Sequence, residues 1–268
     1  MKERTKAGGV ISLIGALVGI VGVSVAFMLA YEPMMAAEVA AGRPDEETIV
    51  QYVIPFLSDI GIMAGALWAI AAYGFFKRER WAWTFAITAN VISLLTGFFA
   101  MIPAASRGLF PLFLIVFVPN LITYLLLLLH VRRVETKIVV ISLLSGITFV
   151  LAFMNGVAST DKIILNSGPL FVAVQRLNWI AAIGWAVFTV ALLTKKSWAP
   201  QVGLGAGLLT LTAEIPLAVA TTIEAGRFSM FSPAPLLAAL LLLILFFIPV
   251  GTKAVSQWLD SKSKPAAA

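Results

Sequence analysis

The sequence predicts an all-α, polytopic membrane protein: eight transmembrane helices in two tandem four-helix repeats of parallel topology, with N- and C-termini cytoplasmic. Three observations lead there. Of the 268 residues, 60% are hydrophobic and 12% charged, with a mean hydropathy of +0.99; soluble domains carry about twice that charge. Apolar runs of roughly 20 residues recur, the length that crosses about 30 Å of hydrocarbon. A tryptophan-bracketed basic turn occurs twice at a constant offset.

Composition also excludes chemistry. With no cysteine there is no disulfide, thiolate nucleophile or thiolate-ligated metal, and the single histidine, His130, removes bis-histidine haem and multi-histidine metal sites. No phosphate-binding loop, zincin helix, nucleophile elbow or dinucleotide fingerprint is present. No cofactor is expected.

The eight spans are Gly8–Tyr31, Val50–Phe76, Trp81–Pro103, Leu109–His130, Ile138–Asn155, Leu170–Thr194, Val202–Thr222 and Ala234–Val250. The first follows a basic start and resembles a signal peptide, but its apolar run is longer than a signal core; it is kept as a span. The second and third are joined by Lys77–Arg80, the sixth and seventh by Lys195 and Lys196. The fourth carries Pro119, which should bend it, and ends at His130, an interfacial position. Asn90 in the third and Asn120 in the fourth are candidates for hydrogen bonds between helices. Pro216 cannot donate a backbone hydrogen bond and should kink the seventh span. Residues Ser261–Ala268 read as a short disordered tail.

Orientation follows the lysines and arginines. Lys2, Arg4, Lys6, Lys77, Arg78, Arg80, Arg132, Arg133, Lys137, Lys195, Lys196, Lys253, Lys262 and Lys264 fall on one side. Arg43, Arg107, Lys162 and Arg227 fall on the other. The first side is read as cytoplasmic. Trp81, Trp83 and Trp198 follow the basic turns, where interfacial anchors belong. A net charge of +6 serves topology and anionic headgroups, so nucleic acid is not an expected partner. The longest connection, Glu32–Ile49, reads as a solvated acidic external loop. Phenylalanine, at 18 copies, is lipid-facing or core bulk.

The repeat rests on offsets. Trp68 and Trp81 are 13 residues apart, as are Trp185 and Trp198, 117 further on; Val25-Ala26-Phe27-Met28 matches Leu151-Ala152-Phe153-Met154 at 126. The two units are residues 1–133 and 134–268. Since each has an even number of spans, a pseudo-twofold along the membrane normal is expected. Gly15/Gly19, Gly61/Gly65 and Gly203/Gly207 each place two glycines on one helix face, letting backbones approach; internal packing is the expected role.

Three ionisable residues, Asp59, Arg176 and Glu214, lie inside spans, where an ionised group costs a few kcal/mol unless paired or wet. Each is 18 residues from a cytoplasmic turn residue, so all three sit about 27 Å deep in one layer. Asp59 and Arg176 are equivalent at the 117 offset. An Asp59–Arg176 ion pair is expected, with Glu214 as a second partner of Arg176 and carrier of a proton, and with Gln175 and Asn178 satisfying the remaining hydrogen bonds. Such a layer either staples the bundle or forms a transport site.

Two functional classes follow, and the first is preferred. One is a non-catalytic membrane-complex subunit or scaffold packing against partner helices, lipid or quinone. The other is a small-solute or proton-coupled transporter or channel using the Asp/Arg/Glu layer. The expected location is the cell membrane. The partners are the bilayer together with other membrane subunits or a second copy of the chain. An intramembrane enzyme would need a nucleophile–base or metal constellation, which the composition nearly excludes.

Overall fold

The computed structural model describes residues 2–165 and 167–261. Every regular element among them is a helix. Seven helices are long and apolar enough to cross a membrane, and an eighth candidate is a helix pair bent by 71°. This is the architecture of a multi-pass membrane protein, its apolar helix faces suited to contact with lipid. The C-terminal tail expected from Ser261 lies outside the described residues from 262 onward.

The chain forms two compact units, Met1–Val134 and Glu135–Ala268. In the first, α1 (Lys2–Leu17) continues through a widened π turn (Val18–Gly22) into α2 (Val23–Ala40). Then come α3 (Pro44–Lys77), α4 (Ala82–Phe99), the short α5 (Met101–Ser106) and α6 (Leu114–Leu126), which ends in a second π turn, Leu127–Val131. Insertion of one extra residue into a helical turn is what creates a π turn.

The first unit corrects the acidic-loop expectation. Residues Glu32–Ala40 stay helical despite Pro33, and α3 starts at Pro44, so only residues 41–43 connect the two helices. A proline at the first helical position is favoured because its missing N–H would be unpaired there anyway. Asp45, Glu46 and Glu47 follow it in the first turn, where the helix dipole favours negative charge.

The core of this unit contains Val23, Ala26, Met34, Ile54, Phe113 and Val116. Backbones approach closely at Gly19 and Gly65: a Cβ built on Gly19 would stand 2.6 Å from the Gly65 Cα. Gly15 lies against the Trp68 ring, and Gly61 against Thr96 and Val23. The glycine pairs here pack helices within the unit.

The second unit comprises α7 (Thr136–Ile164), α8 (Pro169–Leu193), α9 (Ala199–Ala225), α10 (Pro233–Leu242) with a terminal π turn (Leu243–Phe247), and α11 (Pro249–Asp260). The eighth span, expected over Ala234–Val250, is therefore cut at Ile248, which is extended ahead of Pro249. A residue preceding proline is driven out of the helical region, and this explains the bend. Beyond it α11 lies against the α8–α9 turn: the Trp258 indole donates to the Leu192 carbonyl at 2.8 Å, and the Lys195 ammonium sits 3.9 Å from the Trp258 ring centroid.

Both units close a helix in the same way. Arg78 (φ 61°) and Lys195 (φ 56°) are left-handed. The next residues, Glu79 and Lys196, donate backward to Gly74 and Ala191, each at 2.8 Å. This six-to-one closure ends a helix with its carbonyls satisfied. A side chain in this conformation is strained by about 1–2 kcal/mol, and a cation at the helix C-terminus offsets part of that through the dipole.

Candidate functional site

Buried polar side chains in the second unit gather where α7, α8 and α9 meet. Glu214 on α9 is 0% exposed. One carboxylate oxygen, Oε2, accepts from the Asn155 amide of α7 at 2.5 Å; the other, Oε1, has no hydrogen-bond partner among the described residues. The same Asn155 amide also reaches the Phe231 carbonyl at 3.4 Å.

Asn178 on α8 is likewise 0% exposed, and neither its Oδ1 nor its Nδ2 has a partner among the described residues. Helix register brings it to the same level. Trp185 on α8 donates to Thr210 on α9 at 2.9 Å. Running antiparallel from that contact, Asn178 stands level with Leu217, about one turn from Glu214. Between α7 and α8, the Ser145–Thr189 contact at 2.7 Å and Gln175–Thr160 at 2.6 Å set a register that puts Asn155 beside Asn178.

Apolar groups and a folded loop enclose the cluster. Phe171, Val174, Ala213, Leu217 and Phe231 pack as one buried group. The segment after α9 turns at Gly226 (φ 63°). It is then pinned by Ser229, whose hydroxyl contacts Thr221 at 2.5 Å and whose N–H donates to Thr222 at 3.1 Å. That places Phe231 over the Asn155–Glu214 pair.

The other members of the expected layer lie elsewhere. Asp59 on α3 and Arg176 on α8 are both exposed. Arg176 has no carboxylate partner within its own unit among the described residues, so Glu214 is not its second partner. The physical reason is angular: Arg176 precedes the buried Asn178 by two residues, about 200° around a helix of 3.6 residues per turn. Gln175 bonds Thr160 rather than a charged group. Pro119 and Pro216 lie within α6 and α9, and both helices run on through them.

The tryptophans divide. Trp81 and Trp198 are 37% and 47% exposed at the starts of α4 and α9. Trp83 is 4% exposed, with the Arg132 guanidinium 5.0 Å from its ring centroid. Its ring packs inside the first unit, and a cation covers it. Burial lowers the pKa of Arg132. His130 is exposed. Asn90 donates to the Asn120 carbonyl at 3.0 Å and to Thr123 at 3.1 Å, bridging α4 and α6.

The sequence reading missed a polar cluster in the first unit. Arg107, just past α5, donates to Glu38 at 2.6 and 2.8 Å and to Glu46 at 2.6 Å, and Glu46 also pairs with Arg43 at 2.6 Å. The Glu38 side chain is 1% exposed. Its hydrogen bond to Arg107 holds that guanidinium above its usual pKa. The signal was available: an acidic run and a lone arginine on one side, both beside helix ends. Asn155 is a further site residue that the sequence does not single out, because it falls at the end of an apolar run whereas the helix continues nine residues further, to Ile164.

The chain matches no protein-family model, no curated protein and no solved structure.

Proposed function

We propose that the protein is a non-catalytic integral membrane protein, a subunit or scaffold of a membrane complex that packs against partner helices, lipid or quinone. The observation that carries this reading is the outward placement of Asp59 and Arg176. Each lies on a spanning helix and is exposed. An ionised group facing hydrocarbon costs at least a few kcal/mol. Each face therefore calls for an opposite charge or hydrogen-bonding group from outside its own unit.

The proposal includes a cell-membrane location, cytoplasmic termini and an origin by duplication. The lysine and arginine asymmetry supports the orientation. Equivalent contacts 117 residues apart support the duplication: Trp68 donates to Ser93 at 3.3 Å and Trp185 to Thr210 at 2.9 Å, and the left-handed Arg78 and Lys195 stand at the same offset.

Cross-linking in native membranes, then mass spectrometry after mild solubilisation, tests the reading. Stable membrane partners cross-linked near Asp59 or Arg176, and lost on Asp59→Arg or Arg176→Asp, are the expected result. A chain that is monomeric in the membrane and unaffected by either reversal overturns it. If the double reversal restores what each single one loses, the partner surface belongs to this chain; if it does not, the surface belongs to another.

One observation favours a second reading, a small-solute or proton-coupled transporter. Buried unpartnered polar atoms, as on Glu214 and Asn178, are rare and call for an occupant. Flux in liposomes, with no partner needed, would reverse the order of the two readings.

A further inference from the structure

We propose that Glu214, Asn178 and the Phe231 carbonyl form a binding site for a small, hard monovalent cation inside the second unit. The proposal bears on binding alone and stands whether or not the chain transports anything.

Charge balance comes first. Glu214 is wholly buried in a spanning helix, and among the described residues only a neutral amide hydrogen-bonds to it. None of the charged groups on the elements around it forms an ion pair with it among the described residues. Asp161 and Lys162 on α7 lie about two turns beyond Asn155. Arg176 on α8, Glu224 on α9 and Arg227 in the following loop are exposed. Helix α10, which packs on both α7 and α9, carries no ionisable residue. A lone carboxylate in such a place is neutralised by a single positive charge, either a proton or a monovalent cation. A monovalent ion brings the site to neutrality, whereas a divalent ion leaves an uncompensated charge.

The donor set then selects the kind of ion. Glu214 Oε1 and Asn178 Oδ1 are oxygens without partners, and the Phe231 carbonyl accepts only a long 3.4 Å contact. Hard oxygen donors suit alkali and alkaline-earth ions rather than thiolate- or imidazole-seeking metals. The unpartnered Asn178 Nδ2 is a donor and suits a water completing the ion's shell. Asn155 Nδ2 fixes the carboxylate's other oxygen, leaving Oε1 for the ion.

The test uses the full-length protein in mild detergent at constant ionic strength. Dicyclohexylcarbodiimide labelling of Glu214 is followed by peptide mass spectrometry in sodium, lithium, potassium or choline chloride. Sodium or lithium should slow labelling about tenfold relative to choline, and Asn178→Ala should raise the half-protecting concentration about tenfold, as loss of a supporting ligand does. Glu214→Gln should abolish labelling and any sodium-dependent rise in thermal stability. The wild-type protection needs no variant to fold. Equal labelling in all four salts, including labelling that responds to pH alone, overturns the proposal. So does protection left unchanged by Asn178→Ala in a folded variant. Cation protection without liposome flux keeps the site and sinks transport.

Discussion

Asn155 on α7 donates to Glu214 on α9 at 2.5 Å, joining a wholly buried carboxylate of the second unit to a residue 59 positions earlier. The bond ties two spanning helices and occupies one carboxylate oxygen. Replacing Asn155 with leucine would leave the whole carboxylate unpartnered. A buried polar group stripped of its partner costs about 1–3 kcal/mol, so Asn155→Leu should lower the thermal midpoint of the detergent-solubilised protein by several degrees. The double variant Asn155→Leu/Glu214→Leu should recover part of that loss, since removing both partners costs less than removing one. A double variant less stable than Asn155→Leu would show that the pair is not coupled in this way.

The two indole hydrogen bonds differ in length, and the difference is testable. Trp185 reaches Thr210 at 2.9 Å, whereas Trp68 reaches Ser93 at 3.3 Å, and both rings are 0% exposed. A well-formed buried hydrogen bond contributes about 1 kcal/mol, and a long one less. Thr210→Val, which keeps the volume, should therefore destabilise more than Ser93→Ala, as read from thermal midpoints. The reverse order would mean that packing around the second ring outweighs its hydrogen bond.

Gly65 meets Gly19 with no room for a side chain, a Cβ on Gly65 falling 2.8 Å from the Gly19 carbonyl carbon and from the Ile20 nitrogen. These are backbone atoms, which cannot step aside as a flexible side chain does. Gly65→Leu should force the Val18–Gly22 turn and α3 apart and cost roughly 1–3 kcal/mol by overpacking. Gly205, with nothing within 4 Å of a built Cβ, is the control: Gly205→Ala should be neutral or slightly stabilising, since alanine favours the helix by about 1 kcal/mol. Limited proteolysis and thermal unfolding of the two variants check both outcomes.

What could be read from the chain and what could not divide along physical lines. Span positions were legible because hydrocarbon thickness imposes a length on every crossing helix, and Asn90 because a polar amide in an apolar run needs a partner. Helix rotation was not. Depth counted along the chain put Asp59, Arg176 and Glu214 in one layer, but only packing decides which way each residue turns, and Arg176 turns outward while Asn178 turns in. Bends and extensions were hidden as well. Ile248-Pro249 sits in a continuous apolar run, so hydropathy passed over the break. Glu32, Pro33 and Glu38 make Glu32–Ala40 resemble part of an acidic loop, yet the segment is helical and mostly apolar, and its Glu38 pairs with Arg107.

That last contact supplies a further prediction. Arg107 serves two carboxylates at once, Glu38 and Glu46, and the Glu38 side chain is nearly inaccessible. Removing the arginine leaves Glu38 buried without its cation, a far larger penalty than losing an exposed pair. Arg107→Ala should lower the thermal midpoint clearly more than Arg43→Ala, whose guanidinium is 44% exposed, pairs closely with the part-exposed Glu46 and stands 3.6 Å from the buried Asp45. The two should also differ in salt dependence. The Arg43 contribution should fade between low and high ionic strength, because exposed charges are screened within about 10 Å at 0.1 M salt, whereas the deficit of Arg107→Ala should persist. Glu38→Gln alongside Arg107→Ala should recover stability, since a neutral amide no longer requires the cation. Equal midpoints for the two arginine variants across the salt series would show that Glu38 is solvated in the membrane-bound protein and that the cluster does not hold the α2–α3 turn to α5.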